Sequence, residues 1–212
     1  MKVLVTGGNG FVGRRLLKLL LGKGYAVRAT YFSQGSAKEE FKNNQLEWVN
    51  FDLAAPVDDV KQLLEGVDTV IHTAALAHQN KHVPAEKFDR INTEGTINLA
   101  TVSASAGVKQ FVFLSTIKVN GEKNRVDENG LPIPFHATDE PNPIGLYERS
   151  KQLAEQKLIE ICSRSDMHYT ILRPPLIFGP GVRANFLKLI QFVHRGVPLP
   201  FAKIDNSRSL IY

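Results

Sequence analysis

Tyr147 and Lys151 are four residues apart at the start of a stretch, 147–162, whose apolar residues recur at helical spacing. Both side chains therefore fall on one face of a helix. A phenol beside an ammonium is an acid–base pair: the phenol exchanges a proton with a substrate hydroxyl while the cation steadies the phenolate. A free phenol ionises near pH 10, so work near neutrality needs a fall of about three pH units, roughly 4 kcal/mol. A cation within a few Å supplies that sign. Any helix offers pairs at this spacing, and this pair acquires meaning from two further features. Ser115-Thr116 follows the apolar run Phe111-Val112-Phe113-Leu114, which places two hydroxyls at the C-terminal end of a core strand. Near the N-terminus, Thr6-Gly7-Gly8-Asn9-Gly10-Phe11-Val12-Gly13 sets glycines at 7, 10 and 13 directly after a short strand and at the opening of a helix.

That glycine turn has the context of a dinucleotide-phosphate cradle. Gly7 permits the tight turn, Gly10 lets backbone approach a pyrophosphate, and Gly13 allows close packing of helix on strand. The helix start at Phe11 and Val12 offers unpaired N–H groups and the positive end of the helix dipole. The spacing is G-x-x-G-x-x-G, not the G-x-G-x-x-G of the dehydrogenase fingerprint. The second strand ends Thr30-Tyr31-Phe32-Ser33-Gln34, with no acid to bond a ribose hydroxyl and no Arg for a 2′-phosphate. Ser33, Gln34 and Lys38 are the groups available to a 2′-phosphate, so NAD and NADP both stay open with a slight tilt to NADP. Asp52-Leu53 ends the third strand, where a carboxylate either accepts from an adenine amino group or faces solvent.

The elements that must position these groups alternate. Short apolar strands are expected at Val3–Thr6, Ala26–Phe32, Leu46–Phe51, Asp68–His72, Gln110–Leu114 and His168–Leu172. Helices are expected at Phe11–Leu21, Val57–Leu64, 85–106, 147–162 and 184–194. Strands without polar alternation, interleaved with helices, mean βαβ units and an α/β fold of Rossmann type, a doubly wound parallel sheet. Residues 117–146, with prolines at 132, 134, 141 and 143, break the rhythm and read as a binding loop. The expected division is a dinucleotide-binding domain carrying the catalytic residues over 1–172 and an incomplete substrate-binding part over 173–212.

Composition narrows the function classes. At 43% hydrophobic and 22% charged residues the chain has an ordinary globular balance, which excludes disordered and fibrous classes. No apolar run approaches the roughly 18 residues of a membrane span, and no leader segment is expected before the first strand. The net charge of +5 is spread over single or paired Lys and Arg, which argues against a nucleic-acid patch and leaves small anionic ligands open. Cys162 is the only cysteine, which excludes a disulfide framework and suits a reducing cytoplasm; its place on the inner helix face reads as core. His72 reads as packing, and His78, His82 and His136 lack metal-ligand spacing, so no metal is expected.

In order along the chain stand TGGNGFVG at 6–13, Asp52-Leu53, HTAA at 72–75, NTEGT at 92–96, FLST at 113–116, YERSK at 147–151 and RPPLIFGPG at 173–181. With them the chain resembles the extended short-chain dehydrogenase/reductase family, the NAD-dependent epimerases and dehydratases. The resemblance implies Tyr147 as general acid/base, Lys151 lowering its pKa and bonding the nicotinamide ribose, Thr116 bonding the reacting oxygen, and Ser115 as a helper. It also implies that Ala74 and Ala75 line the cofactor and that backbone at Pro174, Pro175 and Ile177 meets its nicotinamide end. A homodimer through helices 85–106 and 147–162, expected to expose apolar faces, is implied as well.

The tail, GPGVRANFLKLI from 179, PLPF at 198–201 and NSRSLIY at 206–212, resembles the nucleotide-sugar branch. That implies Asn185 and Arg208 at a substrate diphosphate and PLPF backbone beside the uracil. Within the branch the chain is similar to bacterial UDP-glucose 4-epimerase-like proteins and UDP-N-acetylquinovosamine 4-dehydrogenases of surface-polysaccharide synthesis. Asn120 stands where a Tyr is usual, and Leu176 where the C4-epimerases carry a substrate-binding Asn. Both departures favour a one-way oxidoreductase at C4 of a UDP-6-deoxy-hexosamine over a UDP-sugar 4-epimerase. A small-carbonyl reductase of dihydroflavonol-reductase type and a non-catalytic cofactor-sensing regulator are further alternatives. Intact Thr116, Tyr147 and Lys151 count against the regulator.

Overall fold

The computed structural model describes residues 1–32, 41–77, 83–182, 184–199 and 208–212, with the side chains of 184 and 185 excepted. Two compact units divide the chain, Met1–Arg173 and Pro174–Tyr212.

The first unit is a six-stranded sheet in the order β3-β2-β1-β4-β5-β6, every neighbouring pair parallel. Its strands are β1 (Lys2–Thr6), β2 (Ala26–Tyr31), β3 (Leu46–Asn50), β4 (Thr69–His72), β5 (Gln110–Leu114) and β6 (His168–Leu172). The helices are α1 (Phe11–Gly22), α2 (Val57–Leu63), α3 and α4 (Leu146–Cys162). α3 changes pitch along its length: Ala85–Phe88 is α-helical, Asp89–Glu94 is a π-helix and Gly95–Ser105 returns to α. Alternation within β1 explains why both sheet faces are covered. Val3 and Val5 join Leu17, Val27 and Ala29 on the α1 side. Leu4, one residue out of phase, joins Val70, Leu99, Phe111, Phe113, Leu158 and Cys162 on the other. Buried Arg28 of β2 ties the sheet to α2, where it donates to the carbonyls of Gln62, Leu63 and Glu65 at 3.2, 2.7 and 3.2 Å. These are the orphan acceptors of a helix C-terminus.

The stretch 117–146 is tethered at several points. Thr116 Oγ1 accepts from the Lys118 N–H and caps a 3-10 turn, Ile117–Val119. A bridge pairs Val126 with Pro132, and the Asn142 N–H returns to the Val119 carbonyl at 2.9 Å. One expectation is corrected. α4 exposes Leu146, Leu153 and Ile159, but the exposed positions of α3 are Glu86, Lys87, Asp89, Arg90, Glu94, Thr101 and Ser105, while Phe88 and Ile91 are half-buried. The spacing of Phe88, Ile91, Leu99 and Val102 is met by packing inside the unit, not by an outward apolar face.

In the second unit β7 (Leu176–Ile177) pairs in parallel with β8 (Leu210–Ile211), beside α5 (Ala184–His194). Phe178 packs on Phe186 and Tyr212 at 5.7 and 5.4 Å between ring centroids. Among the described residues no helix is long and apolar enough to cross a membrane, and no cluster of His, Cys, Asp and Glu could hold a metal ion.

Candidate active site

Strand order reverses between β1 and β4, and a doubly wound sheet opens its ligand crevice at the C-terminal ends of such strands. The glycine turn lies there. Gly7, at φ +69°, donates to Thr30 Oγ1 at 3.1 Å, and the Gly8 N–H donates to the Thr30 carbonyl at 2.8 Å. A Cβ on Gly7 would lie 3.0 Å from the backbone of Ala74 just past β4, and one on Gly13 would strike the Gly7 carbonyl. Gly10 supplies no side-chain cap to α1, so the first-turn N–H groups of Phe11 and Val12 are available to an anion. Asp52 is exposed, with Oδ1 accepting from the Ala54 N–H at 2.9 Å, and Leu53 is buried under Gly95 of α3. Ser33, Gln34 and Lys38 lie outside the described residues, as do His78 and His82.

A buried hydrogen-bond relay runs from this turn to the helix that carries Tyr147. The Ala74 N–H donates to Thr6 Oγ1 at 3.2 Å, and that hydroxyl lies 2.6 Å from His72 Nδ1. On the other side of the ring His72 Nε2 is 2.9 Å from Thr96 Oγ1, whose own proton goes to the Asn92 carbonyl at 2.6 Å. Thr96 has therefore spent its donor, which requires the proton on Nε2 and leaves Nδ1 to accept from Thr6. Burial, then the nearby Lys151, pushes His72 down to about 3, so the ring is neutral. Asn92, inside the π-helical turn, donates to Ser150 Oγ and to the Leu76 carbonyl, both at 3.0 Å, and accepts from the Leu76 N–H at 2.7 Å. Ser150 in turn donates to the Tyr147 carbonyl at 2.7 Å. Sequence reasoning treated His72 as packing or family pattern and assigned no role to Asn92 or Ser150; the signals were the NTEGT and YERSK runs that contain them.

Lys151 is fully buried, with Nζ 4.0 Å from the Phe113 ring centroid, and none of the described residues hydrogen-bonds it. Burial pushes it down to about 7, against an upward pull from Glu155. Ser115 is buried with an unpartnered hydroxyl, and Thr116 is half-buried beside it. Tyr147 is pushed up to about 12, by burial first and then by the Glu148 carboxylate. In the chain alone, burial and Glu148 oppose phenolate, and Lys151 shares the same desolvation. Glu155, buried on α4, takes Arg173 side-on, Nε at 3.0 and 3.1 Å and Nη2 at 2.5 Å. Arg173 Nη1 reaches Asn120 Oδ1 at 3.1 Å, and Asn120 Nδ2 donates to the His136 carbonyl at 2.9 Å. The residue in the usual Tyr position is thus a clip joining the 3-10 turn, the end of β6 and the following loop.

The family model described as the NAD dependent epimerase/dehydratase family matches residues 3–212. The chain belongs to that family. A UDP-glucose 4-epimerase from Vibrio cholerae is 36% identical over 99% of this chain, which spans 62% of that relative's length. Among solved structures, UDP-glucose 4-epimerase with UDP-glucose from Thermotoga maritima superposes with a TM-score of 0.83 at 26% identity, over 100% of this chain and 69% of that one. UDP-glucuronic acid 4-epimerase from Bacillus cereus in complex with NAD gives a TM-score of 0.78 at 25% identity, over 94% and 65% of the two chains.

In this epimerase/dehydratase chain, the first unit brings together Gly7, Gly10, Gly13, Ala74 and, across the relay, Tyr147, Ser150 and neighbouring Lys151. Ala75 is half-buried next to Ala74. The remaining predicted residues belong to the second unit. There Pro174, Pro175 and Ile177 lead through β7, alongside the strand that follows exposed Arg208. Asn185 lies on α5 with its side chain outside the described atoms. The residues at hand fit a nicotinamide dinucleotide on three observations: a turn with no room for a Cβ, an uncapped helix start, and an orphaned buried hydroxyl just past β5, the strand whose Phe113 ring faces a buried ammonium.

Proposed function

We propose that the chain is the dinucleotide-binding and catalytic part of a nicotinamide-dependent oxidoreductase acting at C4 of a nucleotide sugar of the UDP-6-deoxy-hexosamine type. The observation that carries the reading is a buried Lys151 one helical turn from Tyr147, its ammonium 4.0 Å from the Phe113 ring of β5, the strand that leads into the unpartnered Ser115 hydroxyl at the crevice edge of the sheet. A nicotinamide dinucleotide held by the glycine turn supplies the hydride chemistry. The chain's residues do the rest. Tyr147 Oη moves the proton of the sugar hydroxyl, Thr116 Oγ1 orients that oxygen, Ser115 assists, and Lys151 Nζ holds the ribose and favours phenolate. Asn185 and Arg208 are assigned the substrate diphosphate.

The 4-epimerase is supported equally, by the names of the Vibrio and Thermotoga relatives. NAD is the bound form in the Bacillus neighbour, and the missing acid at the end of β2 keeps NADP as the second arm of the test. The reading also makes the protein a cytoplasmic homodimer supplying surface-polysaccharide sugars, with the exposed Leu146, Leu153 and Ile159 of α4 at the interface; light scattering that finds only monomer removes the dimer.

The full-length protein should be incubated with NAD⁺ or NADP⁺ and a panel of UDP-sugars, following both reduced nicotinamide and sugar product. Net reduction with a 6-deoxy-hexosamine supports the dehydrogenase, whereas interconverted sugar without net reduction supports the epimerase. Tyr147→Phe is expected to lower turnover by about 100-fold or more while dinucleotide affinity survives. Unchanged turnover in that variant refutes the acid–base assignment.

A further inference from the structure

Two charged side chains outside the proton-handling set meet across its mouth. Lys118 Nζ, on the 3-10 turn that Thr116 caps, lies 2.9 Å from Glu148 Oε1 on the first turn of α4. Glu148 is buried, which is unusual for a carboxylate in a helix's opening turn. Its position is prepared by Gly145, since a Cβ there would collide with the Glu148 carboxylate. The lysine is half-exposed and also stands 3.9 Å from Glu122. An ion pair whose lysine stays half in solvent adds little stability by itself, so its placement calls for another account. One partner is covalently two residues from Thr116, and the other adjoins Tyr147.

We propose that Lys118 and Glu148 form a charge clamp that holds the Thr116 turn against the catalytic helix and sets how readily Tyr147 releases its proton. The inference rests on the acid–base role given to Tyr147 above. Among the described residues the charged surroundings are few. On α4 they are Lys151 and Glu155, the latter engaged by Arg173 from the end of β6, with Arg149 exposed. From α3, Asn92 and Thr93 face α4 through Ser150, and from the end of β5 come Ser115 and Thr116; all four are uncharged. His72 lies neutral below. Glu148 is thus the near anion that opposes phenolate, in line with its upward pull on Tyr147, and Lys118 is the cation that offsets it.

Two measurements test the clamp. The first is the tyrosinate absorbance titration of the whole protein, with Tyr147→Phe as the blank that isolates this phenol. Glu148→Gln should shift its ionisation down by roughly one pH unit, about tenfold more phenolate at fixed pH. Glu148→Asp, which keeps the charge, should return it toward the parent. The second is the acid limb of turnover with nicotinamide dinucleotide and UDP-sugar. Lys118→Met should move that limb to higher pH in the parent and by clearly less in Glu148→Gln, because the carboxylate is what holds the lysine in place.

An unmoved phenol in Glu148→Gln, or a Lys118→Met shift of undiminished size in the Glu148→Gln background, overturns the clamp. So do single variants that shift in the same direction, which would indicate general loosening. A moved phenol with no dinucleotide-linked turnover supports the clamp and overturns the functional reading, so the two failures are distinguishable.

Discussion

Lys151 carries an ammonium that the fold buries completely, with the face of Phe113 at 4.0 Å as its nearest compensation. A desolvated cation–π contact returns about 2 kcal/mol or somewhat more, less than the several kcal/mol that desolvation of a buried charge costs. The folded chain binds the Lys151 proton only below about 7, whereas the unfolded chain binds it up to about 10.4. Between those values the unfolded state holds more protons, so stability rises with pH; below about 7 the whole cost is present. Lys151→Met keeps the length of the stem without the charge. It should therefore be more stable than the parent at pH 7 by a few kcal/mol, with the gap closing toward pH 10. Urea unfolding at the two pH values reads this directly. Equal or lower stability of the variant at pH 7 would mean that the lysine is not a strained functional group. The same residue shows what spacing leaves out at Tyr147: a Tyr–Lys pair four apart announces attraction, while burial and Glu148 pull the phenol the other way, and spacing reports neither.

At the scale of elements, the glycine turn and α1 are held together by contacts that admit no extra carbon. A Cβ on Gly13 meets the Gly7 carbonyl and lies 2.8 Å from Gly8 Cα, both backbone, so no side-chain rotation relieves it. Gly13→Ala should cost about 2–3 kcal/mol and lower the melting temperature by about 4–10 °C. It should also weaken dinucleotide binding, because α1 must back away from the turn. Gly22→Ala is the control: nothing lies within 4 Å of its Cβ, and helix propensity predicts a gain of about 0.5–1 kcal/mol. Thermal unfolding of both, with and without dinucleotide, should give opposite signs. Equal effects would remove the steric argument. The turn and all six strands were legible because apolar runs and glycines are local signals; strand ends shifted by a residue where Phe32 and Phe51 continued an apolar run beyond the ladder. The π-helical turn of α3 was not legible. It adds no mark to the apolar spacing, and the partners that fix Asn92 are Leu76 and Ser150, 16 and 58 residues away. The exposure of α3 failed for a related reason, since Phe88 and Ile91 are covered by tertiary packing that periodicity does not name.

Because every strand of the first unit is parallel, all six end at one edge, and Thr6, His72, Ser115 and Arg173 arrive there from or just beyond four different strands. Arg173 is the last residue of that unit. Its guanidinium grips Glu155 on α4 and Asn120 beyond β5, so one side chain locks β6, α4 and the Thr116 turn to each other. Glu155 is 3% exposed at its side chain, too buried to keep its charge comfortably alone. Arg173→Met should therefore cost about 3–5 kcal/mol, chiefly through the stranded carboxylate and not through the lost bond. If that account is right, Glu155→Gln on top of Arg173→Met recovers most of the loss, since an amide needs no counter-charge. A double-mutant cycle by denaturant unfolding decides it. Additive losses would mean that the arginine acts through Asn120 and the 3-10 turn. Recovery would identify the charge pair as the fastening that lets a parallel sheet present groups from four strands at a single edge.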